Sequence, residues 1–276
     1  MDLGKFNSLR LARLTSVGAF LEDSAGNDVL LPNRYVPKHA TPGQTLEAFV
    51  YHDSEDRPVA VTTQPYIQLH EFAALKVKDV GPMGAFMDWG LEKDLLVPFK
   101  EQKSKMQAGR RYIVYLYKDD VTGRLVGTAK LNRVVSNDLS ALQEGQAVSL
   151  LVGEKTDLGY EVIIDNQYKG LLYNNDIFRD ILFGEIITGY IKTLREDGKV
   201  DVTLRKTGMD YLDDGAERIL AELRENDGYL DLHDKSDPED IQHTLEMSKK
   251  QFKRSLGMLY KKRVVEIRDD GIYLVQ

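Results

Sequence analysis

Met83-Gly84-Ala85-Phe86-Met87, with Asp94-Leu95-Leu96-Val97-Pro98 close behind it, is one of three copies of a single pattern in this chain. Val17-Gly18-Ala19-Phe20-Leu21 and Asp28-Val29-Leu30-Leu31-Pro32 stand 66 residues earlier. At the same offset Pro42-Gly43 precedes Ala108-Gly109, and Ala60-Val61-Thr62 precedes Val126-Gly127-Thr128. A further step of 75 reaches Leu158-Gly159-Tyr160, Lys169-Gly170-Leu171-Leu172-Tyr173, Phe183-Gly184 and Asp201-Val202-Thr203. Four matches at constant offset through two copies define an internal repeat, which decides the architecture before any local signal does. The chain divides into repeats over 1–64, 68–134 and 144–207 and a distinct segment over 211–276.

Each repeat reads as five short strands. In the second, Ala73–Val80 alternates, Gly84–Asp88 follows a tight turn, and Asp94–Pro98 is short and apolar. The polar stretch Phe99–Gln107 then leads to a hairpin, Tyr112–Tyr117 and Leu125–Lys130, around the turn-rich Asp119-Asp120-Val121-Thr122-Gly123. The first repeat ends in Leu46–Tyr51 and Val59–Thr63, the third in Ile186–Leu194 and Val200–Leu204. Five antiparallel strands with one long connection, between the third and fourth, suit a small Greek-key barrel of the OB type. Closure removes the free edges on which an open sheet aggregates. Gly18, Gly84 and Gly159 mark the bulge or bend such a barrel needs at a corner.

Gly-Ala-Phe followed by Asp-Leu-Leu-Val-Pro resembles the RNA-binding motif of the ribosomal protein S-one type. The resemblance implies that single-stranded RNA is bound on aromatics of these strands and on nearby basic residues. Stacking on such aromatics contributes roughly 1–3 kcal/mol per base, and a positive groove holds the backbone. The copies depart from the motif. Its first aromatic is Val17, Met83 or Leu158, its second survives as Phe20 and Phe86 but is Glu161 in the third repeat, and its histidine is Pro32, Pro98 or Tyr173. Weak or divided RNA binding follows, with some barrels acting as spacers.

The second repeat is the expected RNA platform. It keeps Phe86, adds the single tryptophan Trp89, and carries Lys100, Lys103, Lys105, Arg110 and Arg111 along its long connection, with Arg124 at its last strand. In the third repeat Tyr168 and Tyr173 are further stacking candidates. The competing reading is structural: the aromatics pack in or at the mouth of a barrel, and the lysines form a solvated loop.

The last segment turns from strand to helix. Ala216–Asn226 sets Ile219, Leu220 and Leu223 on one face, Tyr229–Leu232 is a short strand, and Asp237-Pro238-Glu239-Asp240 starts a second helix. Ser248-Lys249-Lys250-Gln251 caps a third, running to about Arg263 with Phe252, Leu256 and Leu259 inward. Val264–Ile267 and Ile272–Val275 flank Asp270-Gly271, a hairpin signal. Helix, strand, helix, helix and hairpin make a winged helix. Lys249, Lys250, Lys253, Arg254, Lys261, Lys262 and Arg263 lie on its third helix with no acid among them. Cations in a first turn oppose the helix dipole, so their presence points to anion or nucleic-acid contact, against the plainer reading of a solvated face.

The fold class is therefore mainly β with a C-terminal α+β domain: three tandem five-stranded barrels and one winged helix. The net charge of −7 hides its distribution, −2 over 1–64, +2 over 65–145, −3 over 146–210 and −4 over 211–276, so the basic spots are local. With no cysteine, no run near the ~18 apolar residues of a membrane span and no leader-like N-terminus, a soluble cytoplasmic protein without a membrane partner is expected. Catalysis is not expected, nor any cofactor or metal. His39, His52, His70, His233 and His243 are scattered, and no nucleotide loop is present.

Three such barrels followed by Ser248-Lys249-Lys250-Gln251-Phe252-Lys253-Arg254 opening the last helix are similar to the conserved virulence factor B family. That resemblance implies a bacterial RNA-binding protein in post-transcriptional control of gene expression. Two alternatives stand beside it: a DNA-binding regulator led by the winged helix, and a scaffold on ribosomal or ribonuclease proteins.

Overall fold

The first repeat forms β1 (Phe6–Leu14), β2 (Gly18–Glu22), β3 (Asp28–Pro32), β4 (Thr45–His52) and β5 (Pro58–Val61). The second forms β6 (Phe72–Gly81), β7 (Gly84–Asp88), β8 (Leu95–Pro98), β9 (Arg111–Lys118) and β10 (Leu125–Thr128). The third forms β11 (Ala147–Lys155), β12 (Gly159–Ile164), β13 (Tyr168–Tyr173), β14 (Ile186–Leu194) and β15 (Val200–Thr203). The structure is a computed structural model that describes residues 1–177, 179–195, 197–205 and 209–275, with backbone alone for 209–213. The expected end of the third repeat at 207 falls outside the described residues.

The first and third barrels close in the order one-two-three-five-four, the third strand pairing the fifth in parallel. The second keeps this order but leaves the β8/β10 seam without a ladder. Side chains fill the seam instead: a Cβ on Gly127 would come within 2.9 Å of Val97 Cγ2. Alternate residues fill each interior, as with Ala85 and Met87 on β7 and Leu95 and Val97 on β8.

Gly18, Gly84 and Gly159 open the second strand of each barrel at φ +154°, +154° and +155°. A Cβ there would lie 2.2, 2.2 and 2.0 Å from the carbonyl oxygens of Leu31, Val97 and Leu172. The bulges fall elsewhere, on the facing first strand between Leu11 and Arg13, Val77 and Asp79, and Val152 and Lys155. The repeated glycine thus permits two backbones to touch, which only a residue without Cβ allows.

The barrels are not independent beads. Trp89, Phe49 and Tyr51 belong to one core shared by the first and second barrels. Phe72 and Ile113 of the second pack on Leu151 and Ile163 of the third. Asn166 locks that contact, accepting from the Phe72 amide at 2.7 Å and donating to the His70 carbonyl at 3.1 Å.

The C-terminal domain comprises α1 (Met209–Glu225), β16 (Tyr229–Leu230), α2 (Pro238–Leu245), α3 (Lys249–Lys261), β17 (Val265–Arg268) and β18 (Gly271–Leu274). Ser248 caps α3, its side chain accepting from the Gln251 amide at 3.3 Å, and Phe252, Leu256 and Leu259 face the core. The helix stops at Lys261, two residues short of the expected end, and Arg263 turns at φ +57°. Arg268 pairs with Gly271, so the wing turn is Asp269-Asp270, one residue earlier than expected. Gly271 is held there because a Cβ would meet the Leu230 carbonyl oxygen at 2.4 Å.

Candidate nucleic-acid interface

One outward position of the second strand differs in every barrel. In the first, Phe20 faces Arg13 across β1 and β2, and the guanidinium carbon lies 4.0 Å from its ring centroid. Arg13 is itself fixed by Asp28 at 2.8 Å, so Phe20 is covered. In the second barrel the cross-strand partner of Phe86 is Asp79, whose carboxylate accepts from the Val80 amide. The Phe86 ring backs onto Gly81, where a Cβ would reach its Cε2 at 2.9 Å, and no cation covers it among the described residues. In the third barrel Glu161 pairs with Lys169 at 2.8 Å. Only the second barrel offers an uncovered aromatic at this position.

Two neighbours enlarge that face. Met83 is 59% exposed and Phe99 is 45% exposed, and the Phe99 amide donates to the Met83 carbonyl at 3.3 Å. The residues equivalent to Phe99 are Asn33 and Asn174, whose side-chain amides donate to the Ser16 and Asp157 carbonyls and tie down the first turn. Phenylalanine cannot make that bond, so its ring is left in solvent. Met83 stands where the motif has an aromatic, and the one sequence signal for Phe99 is an apolar residue opening a lysine-rich connection.

Lys100, Lys105, Arg110 and Arg111 are exposed and form no ion pair among the described residues, and Lys103 stands 3.7 Å from Glu154 of the third barrel. In the first barrel Arg10, Arg13, Arg34 and Arg57 all face acids. Arg124 belongs with them, because it binds Asp56 of the first barrel. Desolvation raises the Asp56 carboxyl, but Arg124 and Lys93 outweigh it and hold it below the usual carboxylate range.

Two expected stacking residues, Trp89 and Tyr168, are corrected by packing, and a third, Tyr173, is partly engaged by a neighbour. Trp89 is 2% exposed, edge-on to Phe49 and Tyr51 with centroids 5.9 Å away, and its indole N–H donates to the Lys93 carbonyl. It joins two barrels and stacks on no base. Tyr168 is 4% exposed in the third core. Tyr173 is half-buried and engaged by Arg195, which donates to its hydroxyl.

On α3, Lys250, Lys253, Arg254 and Lys261 are exposed, and Lys262 and Arg263 continue the patch past the helix end. Lys249 is half-buried and donates to the Lys235 carbonyl at 3.3 Å, which removes it from the free set. The other six form no ion pair among the described residues. No helix among the described residues is long and apolar enough to cross a membrane.

A family model described as an S1 domain matches residues 3–63, and one described as a CvfB-like winged helix domain matches residues 217–274. The chain is 30% identical to the uncharacterized protein YitL of Bacillus subtilis, over 95% of this chain and 90% of that one. It is 25% identical to conserved virulence factor B of Staphylococcus aureus, over 85% of this chain and 80% of that one. A solved multidomain protein with nucleic acid binding domains from Streptococcus pneumoniae aligns over 99% of this chain and 98% of its own, at 24% identity and TM-score 0.43.

Proposed function

The chain belongs to the conserved virulence factor B family, and from that premise we propose that it binds single-stranded RNA with little sequence preference. The carrying observation is the second barrel's apolar face, the exposed Met83 and Phe99 with the half-buried but cation-free Phe86, beside Lys100, Lys105, Arg110 and Arg111, which form no ion pair among the described residues. Bases of any identity present a π-face to such a surface while the cations hold phosphates, so affinity comes without base readout. The role is binding and not catalysis, exercised in a bacterial cytoplasm in post-transcriptional control of gene expression. Ranking oligouridylate, oligodeoxythymidylate and duplex DNA at one fixed salt concentration tests this, because such affinities vary steeply with salt. A preference for the RNA strand supports the reading.

A second reading rests on the six free cations at and beyond α3, which suit a DNA-binding regulator or a scaffold docking ribosomal or ribonuclease proteins. The acidic surroundings of that domain weigh against a strong duplex binder. Tighter binding of the duplex, lost on neutralising Lys250, Lys253 and Arg254, would favour it.

A further inference from the structure

Resting on the RNA reading, we propose that the cleft between the second and third barrels is a nucleotide subsite, with a base on its apolar floor and a phosphate on Lys130 and Arg133. The cleft has a volume of about 300 Å³, at the lower end of small-ligand sites. Ile113 and Leu131 of the second barrel and Ile163 of the third line it, with the aromatic rings of Tyr112 and Phe183 beside them. Apolar and aromatic walls with a few charged groups are what a base joined to a phosphate requires.

The electrostatic balance is positive. Glu154 and Glu161 line the cleft, but Lys103 neutralises the first at 3.7 Å and Lys169 the second at 2.8 Å. Lys130 and Arg133 remain, with no ion pair among the described residues. The walls are preformed: Asn166 bonds both ways across the barrels, and Lys169 donates to the Asn132 side-chain oxygen at 3.2 Å. A ligand therefore meets a site whose ordering cost is already met by folding.

The cleft and the proposed RNA face share one connecting segment. Lys103 and Ser104 on its rim lie on the same connection that begins at Phe99 and Lys100. Phe99 and Lys103 are four residues apart, at most about 14 Å of extended chain. A strand that follows this connection past Lys100 would reach the opening at Lys103 and Ser104. Glu161, standing where the other barrels have an aromatic, belongs to the cleft wall, so the third barrel contributes a side of this site and not a second stacking platform.

The experiment uses the full chain, an oligouridylate carrying 5-bromouridine, and free UMP. Photocrosslinked peptides are mapped, and affinities are measured for the wild type, Phe86→Ala, the double change Lys130→Gln/Arg133→Gln, and Ser104→Trp, which narrows the opening from an exposed rim position; thermal unfolding checks each fold. We expect crosslinks at Tyr112 or Phe183, their loss in Ser104→Trp, and a salt slope lower by about 0.7 for each phosphate contact removed in the double variant. Binding lost in Phe86→Ala but untouched by both cleft variants, with no crosslink in the cleft, would overturn the subsite and leave the RNA reading standing. Binding of UMP that Ser104→Trp abolishes, without binding of the oligomer, would keep the subsite as a free-mononucleotide site and remove the RNA reading. If neither ligand binds the wild type, both fall.

Discussion

Arg13 covers Phe20 from the neighbouring strand, whereas the equivalent residue opposite Phe86 is Asp79. A single cross-strand position therefore decides which aromatic is available to a ligand, because the covering guanidinium occupies the ring face a base would use. Phe86→Ala should cost about 1–3 kcal/mol of oligoribonucleotide affinity, while Phe20→Ala should leave it nearly unchanged. Asp79→Arg should lower affinity despite adding positive charge. Titration of the three folded variants against one oligouridylate checks this, and a gain in affinity for Asp79→Arg would show that charge and not the open ring governs binding.

The connection after Phe99 should supply most of the salt dependence. Replacing Lys100, Lys103 and Lys105 by glutamine removes two cations without an ion pair among the described residues and one that faces Glu154, so up to two phosphate contacts, each carrying about 0.7 of the slope of log affinity against log salt for a single strand. Affinity should drop and the slope flatten together, measured from low to physiological salt. An unchanged slope would move the backbone path to Arg110 and Arg111 or to α3.

Trp89 should matter for stability first. Trp89→Ala empties a position buried against Phe49 and Tyr51, and such changes cost about 3–5 kcal/mol. The first and second barrels should lose stability together, seen as a lowered unfolding midpoint with joint loss of amide protection in β4 and β7. RNA affinity of the fraction that remains folded should be retained.

His52 gives the junction of these barrels an acid limit. Its Nδ1 is buried with no hydrogen-bond partner among the described residues, and burial, then Lys93, push the imidazole below its ordinary value. Between that lowered value and the unfolded value near 6.5 the unfolded chain binds more protons, so stability is full above about pH 6.5 and is lost as pH falls through the folded value. Asp56 at the same junction is likewise held low, by Arg124 and Lys93. Urea midpoints at several pH values between 5 and 8 should fall toward acid in the wild type and stay flat in His52→Leu.

Much of this molecule was legible from residue order. The repeat located fifteen strands because alternation and turn chemistry act over a few residues, and Ser248 with Gln251 announced the cap of α3 for the same reason. Phe86 and the lysines after Pro98 could be singled out as candidates too, since the motif is local. Trp89 and Tyr168 were misread, and the Asp56 partner of Arg124 went unseen, because their surroundings come from far along the chain: Phe49 and Tyr51 for the first, the third core for the second, the first barrel for the third.

By itself the sequence determined three barrels, a winged helix and the outward position on each second strand held by Phe20, Phe86 or Glu161, because short-range patterning dictates strand, turn and face. Only tertiary structure decided which of those positions stays open. An aromatic is available or hidden according to what lies across the strand and across the barrel junction, and pairs such as Arg13 with Phe20, Asp79 with Phe86, or Lys103 with Glu154 meet through the fold and not through adjacency.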